Sequence, residues 1–398
     1  MSAGGLSAAR LGRMHDVLAG YVERGELPGL VAVVGRHGET NVDAIGRMSF
    51  DGDPMRSDTL FRLASLTKPI TAVAAMILVE ECVLRLDEPV DRLLPELADR
   101  RVLRSLDGPI DDTVPAERPI TVRDLLTFRM GFGLLAAPPG SYPIQEAAAE
   151  VILGLGGLER TADEWLRRLG ELPLMHQPGE KWLYATPADV LGVLIARASG
   201  RSLEDFMRER IFDPLGMRDT GFSVPDHAIG RLSTAYAGST ENGALRAFDE
   251  PANSVFRRPP VFAAGGGGLV STADDYLAFG QMMLNNGRHG GERILSRPSV
   301  RAMTTDQLTP AQKAVSSLVP GYFDTHGWGL GLAVVTGRDG VAAVPGRFGW
   351  DGGSGTSWAA DPEEDMVIIL LTQRAWTSAA APEILLDFRT LAYQAIDD

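Results

Sequence analysis

Residues 69 to 79 read PITAVAAMILV, an apolar run with no polar face in helical projection. Ile70, Val73, Ala74, Met76, Ile77 and Leu78 point all round such a helix, so it must be packed on every side. A buried central helix from about Ser65 to Glu81 is therefore predicted. Pro69 fits it, because a proline in the first turn removes no intrahelical hydrogen bond.

The rest of the chain must enclose that helix. At 398 residues and 44% hydrophobic, it is longer than the ~100–200 residues of one domain, so two lobes are expected. Leu11, Met14, Leu18 and Val22 recur at helical spacing and predict an amphipathic N-terminal helix. GLVAVVGRHGETNVDAIGRMSF then reads as short strands broken by a hairpin at His37-Gly38. Between residues 85 and 255 helix starts recur: Thr121 before Asp124, Thr186-Pro187 before Asp189, Ser202 before Asp205. Strand-like sequence returns in GWGLGLAVVTG, GTSWAADP and DMVIILLTQRA, and a last helix is expected over about 382–395. The class predicted is α/β of the α+β type, with one antiparallel sheet built from both ends of the chain and flanked by helices. Residues 1–84 and 256–398 form the sheet domain with the central helix, residues 85–255 a mostly helical domain, and the site lies between them.

Charge and composition exclude several functions. A net charge of −14 and a pI near 5.0 repel nucleic acid and anionic membrane. Cys82 has no second cysteine to pair with, and following AVAAMILVE it is expected to be a buried thiol. Six scattered histidines form no H-x-H or H-x-x-x-H pair, so neither a metal nor a cofactor is implied. The N-terminus has no signal-like apolar region, and no stretch approaches the roughly 18 apolar residues of a membrane span. A cytoplasmic location is the expectation; the oligomeric state is left open.

Three segments can carry chemistry. In FRLASLTKPI, Ser65 lies three residues ahead of Lys68, nearly one helical turn, so both fall close to one face. A buried lysine loses its proton more easily and can then accept one from a serine. A serine cap beside a snorkelling lysine would give the same spacing. Tyr184, in EKWLYATPADV, sits just before a helix, either as a phenol presented at a turn or as a packed junction residue. In GRFGWDGGSGTSWAADP the glycines around Trp350 suggest a strand edge approached closely by another group, or a plain hairpin.

Together, in this order, the three segments resemble the serine β-lactamase and penicillin-binding-protein superfamily, and most closely its family-VIII carboxylesterases. TLFRLASLTKPITAVAAMILVE is similar to the family's S-x-x-K helix and PGEKWLYATPADVLGVLIARASG to its Y-x-N segment. DPLGMRDTGF and AAGGGGLVSTADDYLAFGQMM are similar to further family stretches, and WDGGSGTSW to the K-T-G or W-x-G strand. The resemblance implies Ser65 as nucleophile, with Lys68 and Tyr184 as a coupled base and proton carrier. It also implies an oxyanion hole from the N–H groups of Ser65 and Gly353. Trp350, with Asp351, Gly352 and Thr186, would border the substrate, a small-molecule ester.

Three departures bear on substrate. Trp350 stands where β-lactamases have lysine, Thr186 where they have asparagine, and the H-T-S-G turn is FRMG at Phe128–Gly131. Each makes the site less suited to an anionic amide, which favours ester hydrolysis with short acyl chains. The alternatives are β-lactam, D-amino-peptide or amide hydrolysis, acyl transfer from the same acyl-enzyme, and a non-catalytic binding protein on this scaffold. Loops at 131–143 and 255–268 are expected to roof the pocket, with Phe132, Tyr142 and Phe256 lining it. A Ser-His-Asp site would need G-x-S-x-G, which GGSGT at Ser354 does not complete. His176 and His326 are accordingly read as structural or surface residues. AAGGGGLVST lacks the lysine of a phosphate loop and reads as a flexible edge loop beside the active site, running into a helix capped at Ser271.

Overall fold

The computed structural model describes residues 3–152, 159–238, 244–317 and 319–398. Its main sheet uses β1 (Gly29–Arg36), β2 (Glu39–Gly46), β3 (His326–Trp328), β4 (Ala333–Val335), β5 (Phe348–Gly352), β6 (Thr356–Asp361) and β7 (Met366–Thr372). The spatial order is β3-β4-β5-β6-β7-β1-β2 with every pair antiparallel, so an N-terminal hairpin completes a C-terminal meander. His37 and Gly38 take φ of 52° and 79°, the left-handed pair that a tight two-residue hairpin needs. The helices around the site are α1 (Ala8–Glu23), α2 (Thr67–Glu80), α3 (Thr186–Ser199), α4 (Ala273–Leu284) and α5 (Glu383–Gln394).

β1 and β7 are buried along their whole length, because both faces of the sheet are covered. Alternation sends Leu30, Ala32, Val34, Met366, Ile368 and Leu370 toward α1 and α5, onto Met14, Leu18, Leu385 and Phe388. Val31, Val33, Val367, Ile369 and Leu371 face the larger core shared with α2 and α4. In that core α2 is buried from Thr67 to Leu78, which explains its unbroken apolar sequence. Each fully buried large side chain there contributes roughly 1.5–3 kcal/mol.

Between residues 85 and 255 the described elements are mainly helices, joined by small antiparallel pairs such as Arg101–Leu103 with Thr113–Pro115. Thr121 and Asp124 form a reciprocal capping box, and Ser202 accepts the Asp205 N–H. Two expected caps differ. Thr186 is already inside α3, after Ala185 at φ 77°, and Asp189 is engaged with Gly266 instead of capping. Thr272, not Ser271, caps α4 by accepting the Asp275 N–H.

Cys82 is exposed, contrary to the expected buried thiol. The chain leaves α2 at Glu81, and Cys82 takes φ 59° in the turn that follows, outside the apolar stretch. No helix among the described residues is long and apolar enough to cross a membrane.

Candidate active site

Ser65 is the one residue between Phe61 and Leu78 that is not buried. It sits in a short 3-10 turn, Ala64–Leu66, that feeds α2. Ala64 takes φ 45°, a strained conformation for alanine that the surroundings must hold in place. They do so with named bonds. The Leu63 N–H donates to the Leu269 carbonyl at 2.9 Å, Thr356 Oγ1 donates to the Leu63 carbonyl at 2.9 Å, and Ser354 Oγ donates to the Arg62 carbonyl. Ser354 is thereby buried in a structural bond.

Lys68 Nζ donates to Ser65 Oγ at 2.9 Å and to the Gly266 carbonyl at 2.5 Å. Only 4% of Lys68 is exposed. Burial lowers its pKa to about 8, against the opposing pull of the Asp189 carboxylate. Asp189 was legible only as a helix-start residue. Its Oδ1 accepts the Gly266 N–H at 2.8 Å, and burial raises its pKa to about 6 although Lys68 and that N–H oppose the rise. Asp189, Gly266, Lys68 and Ser65 thus form one hydrogen-bonded chain. The glycine run is correspondingly not an edge loop: Gly265 and Gly266 are buried between α2 and α3, and Thr71 Oγ1 donates to the Gly265 carbonyl at 2.7 Å.

Tyr184 enters from the start of α3, turned by Ala185 and tied by the Leu134 N–H to its own carbonyl at 2.9 Å. Its ring lies under Lys68, with Nζ 4.7 Å from the centroid, and is surrounded by Phe128, Trp182 and Trp350. The Trp350 indole N–H donates to the phenol oxygen at 2.7 Å. Burial nonetheless raises the Tyr184 pKa, outweighing the bonds from Ser65 and Trp350 that favour the phenolate.

β5 runs past this group. Gly352 is required there, because a Cβ would lie 2.2 Å from both the Leu63 carbonyl oxygen and Thr356 Oγ1. The next N–H, that of Gly353, finds no acceptor among the described residues, while its carbonyl accepts from Trp376 at 2.8 Å. A cavity of about 660 Å³ opens over Ser65, Tyr184, Trp350, Asp351 and Gly353.

The remaining sequence candidates are placed differently. Gly352 and Thr186 are buried structural residues, and Asp351 Oδ1 accepts from Ser357 Oγ and from Arg389 Nη2, both at 2.6 Å. Phe132 is fully buried and Tyr142 packs on the main core, while Phe256 belongs to a separate small cluster with Leu60 and Val224. None of the three lines the cavity, nor do the loops expected to roof it; its outer wall comes from Val319, Tyr322 and Trp376–Ala381. Tyr322 opens a four-residue helix and the others lie in loops, so no helical or strand period could have marked them in advance. His326 does line the cavity, stacked on Tyr322, with Nδ1 3.0 Å from Thr325 Oγ1. His176 lies in a turn near Glu180, with Nδ1 3.8 Å from that carboxylate.

The fold is β-lactamase-like, and Ser65, bonded by the buried Lys68, opens onto its cavity. The Beta-lactamase family model matches residues 14–388, and the chain belongs to that family of serine hydrolases and acyltransferases. It is 41% identical over 360 residues to Protein Rv1367c of Mycobacterium tuberculosis, covering 88% of this chain and 87% of that one. It is 34% identical over 403 residues to Esterase EstB of Burkholderia gladioli, covering 95% and 94%. Among solved structures, EstCE1, described as a hydrolase with promiscuous acyltransferase activity, superposes with a TM-score of 0.78 at 24% identity, covering 96% and 98%. That last likeness is one of fold.

Proposed function

We propose that this protein is a carboxylesterase acting through an acyl-enzyme on Ser65. The observation that carries the reading is the 2.9 Å bond from a buried Lys68 to Ser65 Oγ. With a pKa near 8, Lys68 spends part of its time neutral at physiological pH, and only that form accepts a proton. In the proposed cycle Ser65 Oγ attacks the ester carbonyl as Lys68 and Tyr184, acting as a coupled pair, take its proton. The Ser65 and Gly353 N–H groups receive the oxyanion. Tyr184, held protonated by burial, is suited to return the proton to the departing alkoxide. Water then repeats the sequence on the acyl-enzyme.

The likeness to Esterase EstB supports esters as the substrate class. A short acyl chain leaves most of the cavity free, so the alcohol side would occupy the wall made by Trp376–Ala381. With an indole at position 350, β-lactam turnover should be slow.

The test is hydrolysis of p-nitrophenyl acetate, butyrate and octanoate by wild type and Ser65→Ala, with nitrocefin in parallel. Rapid ester turnover lost in the variant, with slow nitrocefin, supports the proposal. Nitrocefin turnover matching that of the esters argues for the β-lactamase reading. Silence on both argues for transfer to an alcohol or amine acceptor.

A further inference from the structure

One wall of the cavity is cationic, in a chain whose net charge is −14. Side chains alternate along β5, so Trp350 turns to Tyr184 while Asp351 turns to Arg389 on α5. Arg347, one residue ahead of β5, lies on the Asp351 side by the same alternation. Only 6% of it is exposed, and its Nη1 has no partner. The side chain is hydrogen-bonded to Tyr393, and Arg389, Asp351, His326 and Tyr322 are its other charged and polar neighbours. Arg389 directs Nη2 to Asp351 Oδ1 at 2.6 Å and to Ser357 Oγ at 3.2 Å, and its buried Nε is left without a partner.

The other titratable groups here do not neutralise the pair. Burial, reinforced by the two arginines, holds the His326 imidazole below its usual range and so uncharged at neutral pH. Burial keeps the Tyr322 and Tyr393 phenols protonated. Asp361 is spent on the Tyr393 hydroxyl at 2.6 Å and on the N–H groups of Glu363 and Glu364. Within the lining, Arg347 and Arg389 are set against Asp351 alone. Tyr322 is near enough to sense Tyr184 on one side and Asp351, Arg389 and Arg347 on the other, so this corner adjoins the reacting groups.

Both guanidinium groups line the cavity with only Asp351 set against them, so a substrate anion entering it meets an excess of positive charge and is held by charge-assisted attraction. We propose that Arg347 and Arg389 bind a carboxylate carried by the substrate, making the preferred substrate an acidic monoester. The proposal rests on the esterase reading for the position of the reacting carbonyl. It also limits an expectation from sequence: Trp350 removes a cation from one face of β5, while two others stand behind the opposite face.

The experiment uses Ser65→Ala protein and equilibrium calorimetry with two ligand pairs. Para-acetoxybenzoate against its methyl ester places the carboxylate on the alcohol side; phenyl hydrogen glutarate against phenyl pentanoate places it on the acyl side. The acidic member of at least one pair should bind about tenfold more tightly, one charge-assisted contact's worth. That ratio should fall toward one in Arg347→Met and in Arg389→Met. Arg389 is less deeply buried, so its variant carries the test if Arg347→Met does not fold. Equal binding within both pairs, or ratios unchanged in the arginine variants, overturns the proposal. Phenol release by the Ser65→Ala protein would instead count against Ser65 as nucleophile, and is read separately.

Discussion

The indole N–H of Trp350 donates to the phenol oxygen of Tyr184 at 2.7 Å, so the residue that replaces the β-lactamase lysine is bonded to the proposed proton carrier. Trp350 is therefore more than a wall. Trp350→Phe keeps an aromatic ring and removes the donor. The loss of one such bond, about 1–1.5 kcal/mol, should lower kcat roughly tenfold for esters of poor leaving groups. Activated p-nitrophenyl esters, which need little help from an acid, should be less affected. Steady-state kinetics on phenyl and p-nitrophenyl acetates check this, and equal losses on both would argue for a packing defect.

The pH profile follows from Lys68. The neutral amine is the competent form and the pKa is lowered to about 8, so kcat/KM should climb as pH rises toward 8 and level off above it. An acid limb centred near 6 would place control elsewhere.

Asp189 opposes that lowering, because its charge favours the lysine cation. Asp189→Asn should move the acid limb to lower pH. A limb that stays in place with kcat reduced would assign Asp189 a purely structural role through Gly266. The profile is measured in overlapping buffers at constant ionic strength.

Adjacent glycines should behave differently. In Gly352→Ala the new Cβ would meet the Leu63 carbonyl and Thr356 Oγ1 at 2.2 Å, and overpacking of this kind costs about 1–3 kcal/mol. In Gly353→Ala the Cβ meets nothing within 4 Å, so stability should hold. Thermal or urea unfolding of the two variants decides it; equal stability loss would contradict the strand placement.

The sequence showed most where a physical pattern repeats. The unbroken apolar runs of α2, β1 and β7 are consequences of burial on every side, and they could be read directly. Ser65, Lys68 and Tyr184 were legible through the order of their motifs. Asp189 was not, because a carboxylate three residues after a threonine also describes a helix cap. The same ambiguity of local pattern misplaced Cys82, which follows apolar sequence but falls in the turn. The cavity wall of Tyr322, Trp376–Ala381 and Arg389 comes from distant loops and a terminal helix brought together by the sheet order. No local spacing encodes that meeting, so large loop aromatics such as Phe256 were read as lining when they fill a separate core.

The most direct test of the account is to quench the wild-type protein with acid during p-nitrophenyl butyrate turnover and map the acylated peptide by mass spectrometry. The account predicts one butyryl group on the peptide containing Ser65. It also predicts no such adduct in Ser65→Ala, with turnover down by on the order of a thousandfold or more. An adduct on another residue, or a Ser65→Ala protein that still turns over the ester at a comparable rate, would contradict it.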